Sequence, residues 1–407
     1  MTKFSAIAVA CMLFASGSQA ADDAALRHAN ALLKSTPLVD GHNDLPILIR
    51  ENEKAPSDVD AYDLNHTTPG ETDIARMHKG HLAGQFWAVY VPGELKSGWA
   101  KFGFEQLDLT RRMVAKYPQA LAPANSAADI ERAFKAGKVA SLIGLEGGHM
   151  IENSLGVLRT YYALGARYMT LTHNVTLDWA DAALDAPKHH GLTPFGKDVV
   201  REMNRLGMLV DLSHVSPEVM RDALDTSSAP VIFSHSSARA LVDHPRNVPD
   251  EILARMPKNG GLVMVTFVPA FVSPEAAKYT PALWKALAAA GEDKVAQKQI
   301  EADYVKANGP MPKASLKQVA DHIDHIAKVA GHDHVGLAGD FGGSPMPVGL
   351  EDTSTYPALF AELMTRGWKD ADLKKLAGLN LIRTMRGAEA EAARLQKTSK
   401  PSTVMYR

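Results

Sequence analysis

The chain has 407 residues and a formal charge of −2, with 46% hydrophobic and 22% charged residues. This is the composition of a soluble globular protein with a large core. A nearly neutral chain lacks the basic face that a nucleic-acid or anionic-membrane partner requires, so neither partner is expected. A single barrel of alternating strands and helices reaches this length when it carries insertions, so one domain is predicted.

The first 20 residues differ from the rest of the chain. Phe4 to Ala15 is almost wholly apolar, Lys3 is the only charged side chain, and Ser18-Gln19-Ala20 resembles a cleavage site. This pattern predicts a secretory signal peptide over residues 1–20 and export to the periplasm or the outside of the cell. No later apolar run approaches the roughly 20 residues that span a membrane, so stable membrane insertion is not expected.

Cys11 is the only cysteine, and it lies within the predicted signal. Ala8-Val9-Ala10 before it is a poor lipidation motif, so a lipoprotein is not expected. The mature chain would then contain no disulfide and no thiolate ligand or nucleophile.

Eight apolar runs are predicted as strands, and helical patterns separate them. The runs are nearly continuous rather than alternating, as expected for parallel strands that are buried on both faces. They lie at residues 38–44, 80–91, 139–146, 168–173, 208–214, 230–235, 261–267 and 335–340. We therefore predict an α/β fold, a (β/α)8 TIM barrel over residues 21–395.

Between the seventh and eighth strands lies a helical insertion, residues 274–312, rich in Ala, Lys and Glu. It is predicted as a surface subdomain, with a lid or a homodimer contact as the alternatives. Residues 396–407 are predicted as a flexible tail.

Six of the predicted strands end in or beside a titratable residue, and catalytic residues of such barrels come from the C-terminal ends of the strands. The six residues are Asp44, Glu146, His173, His214, His235 and Asp340. His42 lies two positions before Asp44, which places both side chains on one face of an extended strand. His214 and His235 end consecutive strands, each directly after a serine. Their imidazoles are therefore expected to be neighbours at one rim.

Three imidazoles and two carboxylates exceed the three protein ligands of a usual catalytic zinc. They suit two Zn²⁺ ions about 3.5–4 Å apart, bridged by a carboxylate and a hydroxide. Glu146 is the predicted bridge, because the third strand lies between the two groups. His42 and Asp44 would complete one ion, and His214 and His235 the other.

Three further residues are candidates for substrate chemistry. Asp340 is predicted to pass a proton to a leaving amine, with a helix cap or loop anchor as its structural alternative. His173 is predicted to bind a carbonyl oxygen or oxyanion, with a core histidine as the alternative. The forked guanidinium of Arg246 suits a substrate carboxylate. Four other histidines, near the helix before the eighth strand, are predicted to be solvated at the opposite end: His322, His325, His332 and His334.

With these residues in place, the chain resembles the membrane (renal-type) dipeptidase family, the binuclear zinc dipeptidases of the amidohydrolase-like barrels. The resemblance runs from about residue 38 to 386 and is carried by several motifs in one order. They are DGHNDLP (40–46), GQFWAVY (84–90), GLEGGH (144–149), LTHNVTLDWAD (171–181), VDLSHVS (210–216), PVIFSHSSARAL (230–241), RNVPDE (246–251), QVADHIDHIAKVAG (318–331) and GDFGG (339–343).

The resemblance implies hydrolysis of free dipeptides, often with a D-residue at the C-terminal side. It implies the same five ligands, with Glu146 shared between two zinc ions. It also implies His173 and Arg246 as substrate-binding residues and Asp340 as the acid/base.

Three departures from the family pattern concern substrate preference. Gly342 replaces the second Asp of Asp-Phe-Asp-Gly, the loop around Asp178-Trp179 is altered, and the 274–312 insertion is longer than in the mammalian members. Two other functions remain as alternatives. One is another amidohydrolase-type hydrolase, such as a lactonase or cyclic amidase, although Glu146 fills the place of the carboxylated lysine found in many of those. The other is an exported binding barrel without metals.

Overall fold

The computed structural model describes residues 23–291 and 293–406. The predicted signal peptide and Cys11 lie outside these residues, and export stays a prediction. Helix α1 covers residues 23–34. The later helices are α2 (Leu45–Arg50), α3 (Ile74–Lys79), α4 (Trp99–Lys116), α5 (Ala127–Lys135), α6 (Leu155–Ala163), α7 (Pro194–Leu206), α8 (Pro217–Thr226), α9 (Asp250–Leu253), α10 (Met256–Asn259), α11 (Pro269–Val272), α12 (Pro274–Ala290), α13 (Lys294–Asn308), α14 (Leu316–Ala330), α15 (Tyr356–Thr365), α16 (Asp370–Lys374) and α17 (Asn380–Leu395).

The strands form one parallel sheet that closes on itself. They are β1 (Leu38–Asn43), β2 (Leu82–Tyr90), β3 (Leu121–Pro123), β4 (Val139–Glu146), β5 (Ala166–Thr170), β6 (Leu209–Asp211), β7 (Ile232–Phe233), β8 (Leu262–Thr266) and β9 (Val335–Ala338). The order runs β2-β1-β9-β8-β7-β6-β5-β4, and β4 pairs back onto β2. This is the predicted (β/α)8 barrel of eight strands with flanking helices.

Strand β3 is an addition that the sequence did not predict. It pairs only with the first three residues of β4, beginning with Leu121 opposite Val139. Farther along β4, from Ile143 onwards, β5 is the neighbour instead. The short strand therefore lies outside the ring and covers the edge of β4 before β5 begins.

The ring strands are buried on both faces, which explains their continuous apolar runs. Adjacent residues of one strand belong to different buried clusters, as Leu38 and Val39 in β1 and Phe86 and Trp87 in β2 do. With apolar neighbours on each side, no position of such a strand favours a polar residue until the strand reaches the rim.

The interior of the barrel is tightly filled by a tyrosine. Tyr168 of β5 is fully buried, and a Cβ atom at Gly144 of the neighbouring β4 would overlap its ring. Its hydroxyl donates to the carbonyl oxygen of Gly41 at 3.2 Å and lies 2.9 Å from Nδ1 of His42. Glycine at position 144 therefore leaves the space that lets Tyr168 reach β1.

The insertion consists of α12 and α13, which form a helical pair between β8 and β9.

Residues 396–406 contact the barrel, because Ser402 hydrogen-bonds Glu202 and Arg159, and the Tyr406 ring lies 5.4 Å from that of Phe195. Within residues 23–291 and 293–406, no helix combines the length and apolarity needed to cross a bilayer.

The prediction of solvated histidines before the last strand was wrong for two of the four. His322 is 1% exposed, and its Nδ1 accepts from the backbone amide of Ala238 at 3.0 Å. His334 is also buried and hydrogen-bonds the carbonyl oxygen of Gly261 at 2.7 Å. Both rings satisfy backbone groups of adjacent loops, a use that helical spacing does not reveal.

We expect Gly144→Ala to destabilise the barrel by about 1–3 kcal/mol, because the added methyl group displaces the Tyr168 ring from a filled interior. Gly156→Ala in α6 is the matched control, since a Cβ there meets its nearest atom at an ordinary 3.5 Å. Thermal unfolding of the two variants beside the parent protein measures the difference. Equal melting temperatures for both variants would contradict the role assigned to Gly144.

Candidate metal centre

All eight residues predicted for the site lie at the carboxyl ends of the strands or in the loops that follow. His42 lies in β1, Asp44 caps α2 directly after it, and Glu146 is the last residue of β4. The others follow the ends of β5, β6, β7 and β9 within a few residues, apart from Arg246 in the longer loop before α9: His173, His214, His235 and Asp340. The structure thus places these side chains at the carboxyl-terminal rim of the barrel.

Glu146 lies between two groups of ligand atoms. Its Oε2 is 3.5 Å from Nε2 of His42, whereas its Oε1 is 3.1 Å from Nε2 of His214 and 3.5 Å from Nε2 of His235. Asp44 Oδ1 lies 3.6 Å from Nε2 of His42, on the Oε2 side. The carboxylate thus offers one oxygen to each group, as a bridging ligand does.

Hydrogen bonds at the far nitrogen fix the tautomer of His42 and of His235. The Tyr168 hydroxyl already donates to Gly41, so it accepts from Nδ1 of His42. The Ser234 hydroxyl already donates to Asp211 at 2.6 Å, so it accepts from Nδ1 of His235 at 2.7 Å. Each ring therefore carries its proton on Nδ1 and directs the lone pair of Nε2 into the site.

His214 follows the same rule. Its Nδ1 donates to Oδ1 of Asn174 at 2.9 Å, and its Nε2 lies 2.9 Å from Nε2 of His235. Two nitrogen lone pairs and a carboxylate oxygen then face one another at close range, an arrangement that only a positive charge between them stabilises. Among the described residues, Nε2 of His42 has no hydrogen-bond partner although it is buried. This donor set fits metal ions of the kind that imidazole and carboxylate bind.

The pKa shifts agree with neutral imidazoles on one side of the site. Burial and the nearby positive charges hold the pKa of His214 and of His235 well below the ordinary range. Burial also acts to lower the pKa of His42, but Tyr168, Glu146 and Asp44 outweigh it and raise that pKa well above the ordinary value. The carboxylate side of the site thus attracts a positive charge.

A second layer of buried carboxylates supports the ligands, and the sequence analysis missed it. Asp211 accepts from the hydroxyls of Thr170 and Ser234 and from the amides of Ser213 and Ser234. Burial raises the pKa of Asp211, and these hydrogen bonds partly reverse the shift. The signal in the sequence was an Asp at the end of a strand, three residues before a ligand histidine.

Asp40 plays the corresponding part beside His42. It is fully buried and accepts from the amides of His42 and Gly339, from the side chain of Gln85 and from the Tyr356 hydroxyl. Burial raises the pKa of Asp40 and its hydrogen bonds lower it. Here the signal was an Asp two residues before the first histidine, on the same face of the strand.

His173 and Arg246 both adjoin the metal-ligand cluster. His173 Nε2 is 3.8 Å from Oε1 of Glu146, and burial holds the pKa of His173 well below its usual value. Arg246 is 2% exposed, and its guanidinium hydrogen bonds among the described residues go to two neutral oxygens, those of Ser236 Oγ and His235 O, at 3.4 and 3.3 Å. Burial lowers the pKa of Arg246 to about 10, so the group still carries its charge at neutral pH. A buried cation with such weak partners favours the binding of an anion.

Asp340 faces the other side of the site. Its Oδ1 lies 4.0 Å from Nε2 of His42, and the hydroxyl of Thr266 donates to its Oδ2 at 3.4 Å. Burial and the nearby charges of Asp44 and Glu146 raise the pKa of Asp340 to about 8, against the opposing effect of His42. The backbone of Asp340 has a φ of 57°, a left-handed conformation that is costly for a residue other than glycine.

Distance alone does not separate the ligands from the other candidates. The described residues contain three groups of three potential ligands, and inside each group the ligand atoms lie within 4.8 Å of one another. Two of these groups include His173 or Asp340. The groups are His42–Glu146–His235, Glu146–His173–His214 and His42–Asp44–Asp340.

A family model described as "Membrane dipeptidase (Peptidase family M19)" matches residues 26–399. The chain belongs to the membrane dipeptidase family. Peptidases of family M19 are metallopeptidases, so this protein is a metallo-dipeptidase, a hydrolase that uses metal. The resemblance seen in the sequence is thereby confirmed.

Relatives of this M19 peptidase cover most of its length. An uncharacterized dipeptidase from Schizosaccharomyces pombe is 41% identical over 386 residues, which are 89% of this chain and 83% of the relative. The crystal structure of the probable dipeptidase PvdM from Pseudomonas aeruginosa is similar with a TM-score of 0.77 at 27% identity, covering 91% of this chain and all of PvdM.

A metallopeptidase from Rhodobacter sphaeroides, solved with a phosphinate mimic of the dipeptide L-Ala-D-Ala, has a TM-score of 0.71 at 23% identity. The match covers 87% of this chain and 99% of that one. At this level of identity the likeness concerns the fold alone.

We expect Asp211→Asn to lower metal affinity roughly 10- to 100-fold. The new amide would donate to the Ser234 hydroxyl, which would then donate to Nδ1 of His235 and move the ring proton to Nε2. A protonated Nε2 cannot bind a metal. Competition with a chelator measures the affinity.

Asp181→Asn is the matched control for that substitution. Asp181 is equally buried, but it accepts from backbone amides of the 188–191 loop and not from a partner of a site imidazole. Asp181→Asn should therefore keep the parent metal affinity. Unchanged affinity in Asp211→Asn would show that Asp211 does not set the tautomer of His235.

Proposed function

We propose that this protein is a zinc dipeptidase that hydrolyses free dipeptides, including those with a C-terminal D-residue. The observation that carries the proposal is the arrangement around Glu146, where one carboxylate faces imidazole lone pairs on both sides, beside a buried arginine. Family membership supports dipeptide hydrolysis, and the donor set supports zinc.

Two ions per chain fit the ligands. His42, Asp44 and Glu146 would hold one, and Glu146, His214 and His235 the other. When bound, such ions would supply Lewis acidity, which polarises the peptide carbonyl and lowers the pKa of bound water towards about 7. The five residues would fix the positions of the ions, because the proton of each imidazole is held on the far nitrogen by a hydrogen-bond acceptor.

Substrate orientation follows from the charges beside the ligands. The Arg246 guanidinium would bind the C-terminal carboxylate of the dipeptide through paired hydrogen bonds. The neutral His173 ring would donate a hydrogen bond to the carbonyl oxygen as negative charge develops there. A peptide with a blocked carboxyl group would leave the buried guanidinium without its anion, which disfavours longer or amidated substrates.

Asp340 would supply the proton for the departing amine. Burial and the neighbouring carboxylates raise the pKa of Asp340 in the site without metal, and a carboxyl group in this position can take up a proton from water and pass it to the amine. The hydrogen bond from the Thr266 hydroxyl and the bond from the Asp340 amide to the carbonyl oxygen of His42 hold it beside the ligands.

Other hydrolases of the amidohydrolase type act on lactones or cyclic amides, which need not carry a free carboxylate, whereas every free dipeptide presents one to Arg246. The buried guanidinium therefore favours dipeptides over these alternatives.

The proposal includes export to the periplasm or beyond, which the composition of residues 1–20 supports and cell fractionation tests. A homodimer stays a prediction.

A dipeptide panel tests the proposal. Free L,L and L,D dipeptides should be hydrolysed, whereas N-acetylated and C-amidated versions should react at least about tenfold more slowly, because amidation removes the carboxylate that Arg246 would bind and acetylation removes the free amine of a dipeptide substrate. Chelation should abolish turnover and zinc should restore it. Blocked substrates that react as fast as free ones would refute dipeptide specificity, and a chelated protein with full activity would refute the metal requirement.

For Asp340→Asn we expect kcat to fall about 100- to 10,000-fold while both metals are retained, because the amide cannot deliver a proton. Metal analysis of the purified variant beside its kinetics separates this from loss of a ligand. Asp352→Asn is a control on a surface carboxylate outside the site, and it should behave as the parent. An active Asp340→Asn enzyme with full metal content would remove Asp340 from the mechanism.

A further inference from the structure

The insertion reaches the substrate side of the site through one tryptophan. Trp284 of α12 lies edge-on to two rings, 5.8 Å from His244 and 6.1 Å from Phe271. These two rings lie 4.7 Å from each other. Val268, Ala270 and Phe271 form a small buried cluster of their own, and Trp284 packs against it. The three rings define what we call the aromatic platform: His244, Phe271 and Trp284.

The aromatic platform holds Arg246 at both its backbone and its side chain. The guanidinium carbon lies 5.2 Å from the centre of the Phe271 ring, within the range of a cation–π contact. The backbone amide of Arg246 donates to Nδ1 of His244 at 3.2 Å. The next residue is tied to the same platform, because the Asn247 side chain donates to the carbonyl oxygen of Phe271 at 2.8 Å.

The polar contacts of Arg246 are weak by comparison. Its guanidinium bonds to Ser236 and to the carbonyl of His235 are 3.4 and 3.3 Å long. A planar guanidinium pairs with both oxygens of a carboxylate only when its plane is correctly oriented. In this protein the orientation therefore depends on the ring beneath the guanidinium.

We infer that Trp284 is a positioning residue for Arg246: it fixes the His244–Phe271 ring pair and thereby the plane that the guanidinium presents to the substrate carboxylate. This inference rests on the proposed function. It assigns the insertion a part in selecting substrates with a free carboxyl end, although α12 and α13 contribute no residue to the metal-ligand groups.

The insertion also contacts the loop after α2, where Lys298 of α13 pairs with Glu53 at 2.6 Å. Both side chains of this pair are largely exposed, at 69% and 78%. Exposed ion pairs of this kind contribute little, because solvent screens them. Of these two side-chain contacts, the one made by Trp284 is therefore the one that can couple the insertion to Arg246.

The experiment compares Trp284→Leu, which keeps apolar volume without a ring, with Trp284→Phe, which keeps a ring. Kinetics are measured on Ala-Ala and on Ala-Ala amide, and the amide is used as a competitive inhibitor if its turnover is too slow. Trp284→Leu should raise KM for Ala-Ala about five- to tenfold, the size of a weakened charge-assisted pair, and change kcat less than about twofold. The amide constant should stay at the parent value, and Trp284→Phe should restore most of the Ala-Ala affinity.

Two reference variants set the scale. Arg246→Lys gives the full effect of losing the forked guanidinium, and Val295→Ala truncates an apolar residue of α13 that is 80% exposed and should behave as the parent. Metal content and melting temperature are recorded for every variant, so that general loosening of the fold is recognised.

The inference would be overturned if Trp284→Leu kept the parent KM for Ala-Ala. It would also be overturned if the constants for Ala-Ala and its amide changed by the same factor, or if Trp284→Phe failed to restore affinity, since each result describes a merely structural residue. A parent enzyme that does not distinguish Ala-Ala from its amide would instead count against the proposed role of Arg246, a separate failure.

Discussion

The centre of this protein depends on an electrostatic conflict that a cation resolves. The imidazoles of His42, His214 and His235 and the carboxylates of Glu146 and Asp44 each lie within 3.6 Å of a neighbour in the cluster. Hydrogen bonds to Asn174 and Ser234 prevent the neutral rings of His214 and His235 from turning a proton inward to relieve the repulsion between their lone pairs. Positive charge is therefore required at this place, and much of the surrounding structure holds the donors in position for it.

The two buried carboxylates of the second layer connect this requirement to the barrel. Asp40 joins the ends of β1, β2 and β9 through His42, Gln85 and Gly339. Asp211 joins the ends of β5, β6 and β7 in the same way. Each buried charge is costly by itself, and each is stabilised by four donors. The two carboxylates that hold the ligand histidines in position are thus also the groups that hydrogen-bond neighbouring strands to one another.

Much of the fold and of the site could be predicted from the sequence. Because the ring strands are buried on both faces, each one is an apolar run in the sequence, and the first polar residue marks its end. Residues such as His214 and Glu146 interrupt those runs, and metal chemistry restricts what such residues can do together. Strand β3 was missed because three residues that end in proline carry no periodic signal. The family resemblance, rather than spacing, identified Arg246.

Other features were missed because they depend on contacts between distant residues. The hydrogen bond from His42 to Tyr168 joins residues 126 positions apart, and the sequence around either residue does not indicate the other as its partner. Asp211 was passed over because a strand-end aspartate has the same sequence signature whether it binds a metal or accepts from serines. Likewise, helical spacing in the insertion marks Trp284 as an apolar edge but does not say which rings it meets.

The hydrogen bond between Asp40 and Gly339 spans 299 residues of the chain. The first strand of the ring pairs with the last, so most of the polypeptide must be available before the barrel can close. Contacts this distant in sequence are slow to form, since the entropy lost in closing the loop precedes the gain in stability. Because Asp40 also binds the backbone amide of His42, full order at this part of the rim is expected late in folding.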